Sequence, residues 1–381
     1  MNFFFEHFKN IFLTHSNSQP LAFLIAFLVC YSITPLIRER AIKLKLRSRR
    51  EEKNRCTKLS KEGLPIPRLG GIAILISIII TVIFYLAVFG TYTPHGIEHL
   101  QLEAIAVGGL MIFFVGLLDD LEPLSPQTKL IAQVLAAFTV WVMGLRIEFL
   151  ANPLHYFNGD LKSAFSLGDV PSIILTVVFI VGITNAINLI DGIDGLAVGV
   201  CLIASVASWA INLSPLLNQP AGALFAATTA GACFAFLRYN FNPARIFLGD
   251  NGSYLLGFAL ACISCIGLTK KVTVTILSPI LLLIFLVPFV DIVYAICRRA
   301  AKNQPIMKPD FEHLHHKLLA KGFSEKQINY LLYTVTFVGG LIGTFILGID
   351  IGIEYLIISF SILFAWIFFS LVINHKNQKN R

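Results

Sequence analysis

Residues 104–120 read AIAVGGLMIFFVGLLDD, an uncharged apolar run that stops on two adjacent carboxylates, Asp119 and Asp120. A helix needs about 20 apolar residues to cross a bilayer, and this run with its flank is close to that length. An ionised carboxylate at the centre of such a span costs roughly 2.5–3.5 kcal/mol even on a lenient insertion scale. The same anomaly recurs twice. NAINLIDGIDGLA (185–197) carries Asn188, Asp191 and Asp194, and FLGDN (247–251) carries Asp250 and Asn251, both beside apolar segments. Carboxylates gathered at membrane edges point to function. Oxygen ligands without thiols suit Mg²⁺ or Mn²⁺ rather than zinc, and a hard cation held by carboxylates is the usual partner of a diphosphate.

Working outward, the whole chain of 381 residues is 56% apolar and 14% charged, against about 25% charged in a soluble domain. Its mean hydropathy is +0.75. The expected fold is therefore all-α and polytopic, with about eleven transmembrane helices near 20–37, 69–90, 102–118, 128–146, 171–187, 196–213, 222–237, 251–268, 273–297, 329–349 and 353–373. Pro288 and Asp291 interrupt the ninth, where a proline removes a helix hydrogen bond and predicts a break. The first span lacks a small-residue cleavage site and reads as an anchor. Arg38–Arg68 carries twelve Lys or Arg, Arg298–Lys326 seven and the tail after Ile373 three. The positive-inside bias puts these segments in the cytoplasm, so eleven spans leave the N-terminus outside and the C-terminus inside. Every acidic cluster then falls on the cytoplasmic side.

The net charge of +8 follows from that loop bias and implies no nucleic acid partner. Part of the 38–68 run can rest on anionic lipid heads. Six of the seven cysteines lie in apolar spans, with only Cys56 in a polar loop, so no disulfide framework is expected. Without repeats or low-complexity linkers, one integral membrane domain covers 1–381, with cytoplasmic loops at 38–68, 119–127, 188–195, 238–250 and 299–328. Residues 147–170 are expected outside, with Asn158-Gly159 as a turn signal.

Adjacent residues on a helix point about 100° apart, so Asp119 and Asp120 reach different partners. A helix C-terminus prefers cations, which makes two anions there hard to read as a plain solvated end. Lys129, at the start of the next span, would neutralise the pair or grip a phosphate as a point charge. Asn185, Asn188, Asp191 and Asp194 recur every three residues, a pattern that drifts about 60° per step on a helix. Gly192 and Gly195 let that segment loosen, so its carboxylates can turn into a site. Asn185 could instead hydrogen-bond a neighbouring helix. Asp250, flanked by Gly249 and Asn251-Gly252, allows close approach of a phosphate or metal and could also cap the following helix. Phe247 could stack on a planar base or simply sit at the interface. His313, His315 and His316 lie with Asp310 and Glu312 in a basic loop; their spacing without cysteine is a weak zinc signal and suits a sugar or phosphate better.

Taken in order, PRLGG (67–71), GLLDD, NAINLIDGIDGLA, FLGDN and HLHH (313–316) resemble the polyprenyl-phosphate N-acetylhexosamine-1-phosphate transferases. The resemblance covers nearly the whole chain. It implies transfer of a sugar 1-phosphate from a UDP-sugar to a membrane polyprenyl phosphate, with release of UMP and a need for Mg²⁺ or Mn²⁺. It implies that Asp250 and Asn188 hold the metal with Asp191 close by, that Asp194 and Phe247 meet uridine, and that Lys129 meets a phosphate. Asp119 and Asp120 would flank the attacking lipid phosphate, with Asp191 and Asp194 completing the catalytic set and Asn251 binding substrate beside Asp250. His313, His315 and His316 would meet the sugar and its phosphate. The HLHH form is closer to the N-acetylglucosamine enzymes of O-antigen, common antigen and teichoic acid synthesis than to the muramoyl-pentapeptide enzymes, which carry three consecutive histidines. Phe311 stands where relatives often have a basic residue, a departure that bears on the sugar. The implied partners are UDP-N-acetylglucosamine, undecaprenyl phosphate and membrane lipid, with room for a homodimer, at the cytoplasmic face of a bacterial inner membrane. An ion-coupled transporter is the rival class, since intramembrane carboxylates also mark ion pathways; it would line both halves of a route, whereas these gather at one face.

Overall fold

The computed structural model describes residues 19–44, 66–89, 97–151, 164–214, 217–267 and 314–346. These form ten helices and one small sheet: α1 Gln19–Lys43, α2 Gly70–Phe89, α3 Ile97–Leu121, α4 Pro126–Val142, β1 Phe149–Ala151, β2 Ala164–Ser166, α5 Asp169–Ile190, α6 Leu196–Leu213, α7 Pro220–Asn240, α8 Gly249–Gly267, α9 Leu314–Ala320 and α10 Glu325–Ile346. Six of them, α1, α2, α3, α5, α6 and α7, are long and apolar enough to cross a membrane. The chain is a helical, multi-pass membrane protein. The ninth span with Pro288 and Asp291, the eleventh span, His313, Phe311 and Asn158-Gly159 lie outside the described residues.

Local sequence sets the helix ends. Ser125 caps α4, accepting from the Thr128 N–H at 3.1 Å, and Pro126 occupies the first turn, where its missing N–H is harmless. At 17 residues α4 is only about 25 Å long, ending before the expected 146 because Gly144 turns the chain at φ +93°. Ser324 and Gln327 form a reciprocal capping box at the start of α10. Pro35 lies inside α1 and deprives the Tyr31 carbonyl of its helical donor. Tyr239 of α7 donates its hydroxyl to that carbonyl instead, at 3.0 Å.

α8 occupies the middle of the bundle, packed on α2, α3, α5, α6 and α7. Every residue from Asn251 to Ile266 is buried, as expected of a helix that is apolar on all sides. Its neighbours approach at backbone distance. A Cβ on Gly116 of α3 would lie 2.6 Å from Asn251 Cα and from the Asp250 carbonyl oxygen, and one on Gly257 would lie 2.8 Å from Thr184 Cα of α5. Small residues at such crossings let apolar helices pack closely where lipid supplies no hydrophobic drive.

Three expectations need correction. The fold is not wholly helical, because β1 and β2 pair antiparallel with Leu150 opposite Phe165. This segment has no run long enough to be a span, and its backbone groups pair with each other while Thr176 and Ser172 of α5 bond both backbone groups of Ile147. The loops at 119–127, 188–195 and 238–250 are shorter than expected: α3 runs through Asp120, α5 through Ile190 and α7 through Asn240, while α8 opens at Gly249. The 299–328 loop contains helix from Leu314.

Gly116→Ala is expected to destabilise the protein by about 1–3 kcal/mol, the range for overpacking. Gly182→Ala, where an added Cβ meets nothing within 4 Å, should be neutral or slightly stabilising through helix propensity. Thermal midpoints of the two variants in detergent check the contrast.

Candidate active site

The ends of α3, α4, α5 and α8 meet at one end of the bundle and bring the three acidic clusters together. Asp119 and Asp120, on the last turn of α3, do point to different partners. Asp120, 6% exposed, accepts the backbone N–H of Asp250 at 3.0 Å and that of Asn251 at 2.9 Å. It also accepts the Asn251 side-chain amide at 2.5 Å, and the Arg68 Nε lies 3.6 Å away. Asn251 is fully buried, its amide donating to Asp120 and to the Arg68 carbonyl at 3.0 Å. Its expected substrate contact is therefore corrected, because its donors join three segments inside the protein and none of its surface is open to a ligand.

Asp119 accepts the Leu124 N–H at 2.7 Å and pairs through its other oxygen with Lys129. The Lys129 ammonium also reaches Asp250 at 3.3 Å, so one cation bridges carboxylates from α3 and α8. Asn188 donates to the second oxygen of Asp250 at 3.2 Å and to the Ser253 hydroxyl at 2.9 Å. Arg68 comes within 4.0 Å of Asp250. Asn185 lies apart from this cluster, in a reciprocal amide pair with Gln133 of α4 at 2.6 and 3.3 Å.

Beside it, a cavity of about 160 Å³ is lined by Arg68, Asp191, Asp194, Asn240 and Phe247, among others. PRLGG builds one wall by pairing with the segment before α8: Phe247 N–H donates to the Pro67 carbonyl at 2.9 Å, and Gly70 and Gly71 donate back to Phe247 and Leu248. The opposite wall is the turn at 191–195, closed by Gly195 at φ +85°, a left-handed conformation suited to glycine. Asp194 accepts the Ala244 N–H at 3.0 Å. Asn329 and Tyr333 of α10 hold the carbonyls of Asp194 and Gly195 at 2.7 and 2.5 Å. Burial raises the Asp191 carboxyl well above its ordinary range against the pull of Arg68, and the charges of Asp250, Asp120 and Asp194 add to the rise.

His315 of α9 is buried and seats its ring against Gly192, where an added Cβ would lie 2.8 Å from the ring Cε1. The His316 ring lies beside it, tilted by 47° with ring centroids 4.2 Å apart. The histidine segment thus adjoins the Asp191 turn.

Among the described residues no three His, Cys, Asp or Glu side chains converge as a preassembled metal cage. Mg²⁺ seldom needs one, since it keeps several waters and takes one or two carboxylates together with substrate phosphates. Asp250 and Asn188, 3.2 Å apart, fit that requirement as an oxygen donor pair beside the corner where the Lys129 ammonium lies between the carboxylates of Asp119 and Asp250.

Two cavity residues carry no strong sequence signal. Arg68 sits in the quoted PRLGG motif, yet an arginine ending a basic run reads as one more positive-inside charge. Asn240 ends α7, donates to the Ile246 carbonyl at 3.0 Å, and leaves its buried Oδ1 without a hydrogen-bond partner among the described residues.

Residues 102–268 match the family model described as glycosyl transferase family 4. The chain is 35% identical over 91% of its length, and 90% of the relative's, to a probable undecaprenyl-phosphate N-acetylglucosaminyl 1-phosphate transferase of Bacillus subtilis. It is 34% identical to a decaprenyl-phosphate N-acetylglucosaminephosphotransferase of Mycobacterium leprae, covering 71% of this chain and 70% of that one. A phospho-N-acetylmuramoyl-pentapeptide-transferase of Staphylococcus epidermidis is 30% identical over 85% of this chain and 97% of its own. The protein is a glycosyl transferase of the membrane type. It belongs to the polyprenyl-phosphate N-acetylhexosamine-1-phosphate transferase family, enzymes that transfer a sugar phosphate.

Removing one member of a buried ion pair costs roughly 3–5 kcal/mol because the other charge is left uncompensated. With side-chain exposures of 17% for Lys129 and 4% for Asp119, Lys129→Met is expected to lower the thermal midpoint in detergent clearly. Adding Asp119→Asn to Lys129→Met should recover part of that loss.

Proposed function

We propose that this enzyme transfers N-acetylglucosamine 1-phosphate from UDP-N-acetylglucosamine to undecaprenyl phosphate, releasing UMP, as the first membrane step of a cell-surface polysaccharide. The observation that carries this reading is the junction of Asp119, Lys129, Asp250 and Asn188 beside the cavity of Arg68, Asp191, Asp194 and Phe247. It offers a charged corner for a diphosphate next to a recess with an aromatic wall for a planar base. The proposal includes eleven spans, an outside N-terminus, and a site on the cytoplasmic face of the inner membrane, where UDP-sugars are made. Leu314 between His313 and His315 favours N-acetylglucosamine over a muramoyl-pentapeptide donor.

Phe247 and Asp194 take uridine in this scheme, and Asn240 supplies a further acceptor in the same recess. Arg68 and Lys129 receive phosphate charge, while His313, His315 and His316 face the sugar. Asp250, Asn188 and Asp191 would hold Mg²⁺ or Mn²⁺, which when bound would supply positive charge against the diphosphate and the leaving UMP. The lipid phosphate attacks the phosphorus that carries the sugar, and no covalent enzyme intermediate is required. A phosphate monoester has a second pKa near 6 and is largely ionised at neutral pH. Both oxygens of Asp119 are engaged, one by Lys129 and one by Leu124 N–H, which leaves it poorly placed to take a proton. Asp119 therefore orients Lys129 toward the attacking phosphate.

Purified protein with Mg²⁺, UDP-N-acetylglucosamine and undecaprenyl phosphate should release UMP; no turnover with any UDP-N-acetylhexosamine would overturn the proposal. In single-turnover measurements, Asp119→Asn should slow transfer roughly 10–100-fold through lost positioning without moving the pH profile. A shifted profile would assign it the base role.

A further inference from the structure

Asp120 stands at the C-terminal end of α3, where the aligned peptide dipoles disfavour an anion. The same carboxylate faces the N-terminus of α8, where the first N–H groups of the helix have no partner within it and the dipole favours an anion. Phe247 and Leu248, just before α8, and Gly249, its first residue, carry no side-chain oxygen with which to cap those groups. Asp120 supplies both acceptors from another helix, one oxygen to Asp250 N–H at 3.0 Å and the other to Asn251 N–H at 2.9 Å. Asn251 locks the contact from the other side through its amide at 2.5 Å.

We propose that Asp120 is a positioning residue: with Asn251 it caps α8 from the end of α3 and sets the direction of the Asp250 carboxylate, and it touches neither substrate. Asp250 is the residue whose backbone N–H Asp120 holds and whose side chain meets Lys129 and Asn188. A rotation of the first turn of α8 therefore moves that carboxylate away from both. Asp120 itself has donors on both oxygens, Arg68 on one flank, and 6% of its surface exposed, which leaves no face for a phosphate. The assignment of the two adjacent aspartates is thereby divided. Asp119 belongs to the reacting corner and Asp120 to the helix behind it.

This inference rests on the proposed transfer reaction, and the test separates the two. UMP release and thermal midpoints are measured for the full chain in detergent as wild type, Asp120→Asn, Asn251→Ala, Asn251→Asp and the exchange Asp120→Asn/Asn251→Asp. In the exchange, the amide oxygen at position 120 still accepts from Asp250 N–H and the amide NH2 donates to the carboxylate at 251, while the 251 N–H loses its acceptor and the Arg68 carbonyl its donor, so that recovery is partial. Asp120→Asn and Asn251→Asp are each expected to lower kcat on the order of 100-fold, the effect of about 1 Å of misplacement at a reacting centre, with KM for UDP-N-acetylglucosamine nearly unchanged. The exchange should restore kcat to within roughly tenfold of wild type, as coupled neighbours do. An exchange protein that recovers in midpoint but stays as slow as Asp120→Asn overturns the proposal, because a carboxylate at position 120 would then be needed for itself. If the exchange does not fold, Asn251→Ala decides. It leaves Asp120 chemically intact, so a clear loss of kcat supports the cap and a full wild-type rate overturns it. A wild-type protein that releases no UMP overturns the reaction instead. The cap is then judged by midpoints, lowered in Asp120→Asn and recovered in the exchange.

Discussion

A carboxylate at the end of one helix holding the beginning of another is the contact on which this architecture depends. α8 runs through the centre of the bundle and is buried from Asn251 to Ile266, which shields its first N–H groups from water. A helix start left unpaired there carries the full penalty of desolvated donors, about 1–3 kcal/mol for each group. Asp120 removes that penalty and places an anion where the α8 dipole favours one. Because Asn251 also bonds the Arg68 carbonyl, the PRLGG segment is tied to the same point. The cavity wall that this segment forms with Phe247 follows from that tie.

Charge balance explains why the carboxylates can gather. Asp119, Asp120 and Asp250 are matched by Lys129 and Arg68 at 3.3 to 4.0 Å or closer, and by backbone and amide donors around Asp120. An acidic corner beside lipid is tolerable only with such partners, since isolated buried charges are far more expensive than paired ones. The geometry that makes the corner tolerable also suits it to a phosphorylated substrate: both cations are held by carboxylates at its edge, and a cavity adjoins them.

Much of this was legible in the chain. Uncharged runs between charged loops indicate helices 70–89, 169–190, 196–213 and 220–240 within a few residues, because a span must reach across a fixed thickness of lipid. The three acidic motifs pointed to one site because carboxylates beside lipid need a reason. Less visible were the contacts between motifs. Asn251 looked like a ligand-binding amide beside Asp250, and nothing local shows that its donors turn inward to Arg68 and Asp120. Arg68 was hidden among twelve basic residues whose common explanation is orientation. The small β1–β2 sheet leaves no signal in the sequence, because three-residue strands carry no periodicity to read.

By itself the sequence determined that the protein is a helical membrane protein with its acidic groups at the ends of spans, because hydropathy and helix length are properties of consecutive residues. It determined, too, that Asp119 and Asp120 must serve different partners, since a helix turns about 100° per residue. Which partner each would find was decided only by tertiary structure. Asp120 meets α8 across 130 residues of chain, Lys129 joins α3 to α8, and His315 settles against Gly192. These are meetings between segments distant in sequence, and their geometry comes from how closely the helices can pack.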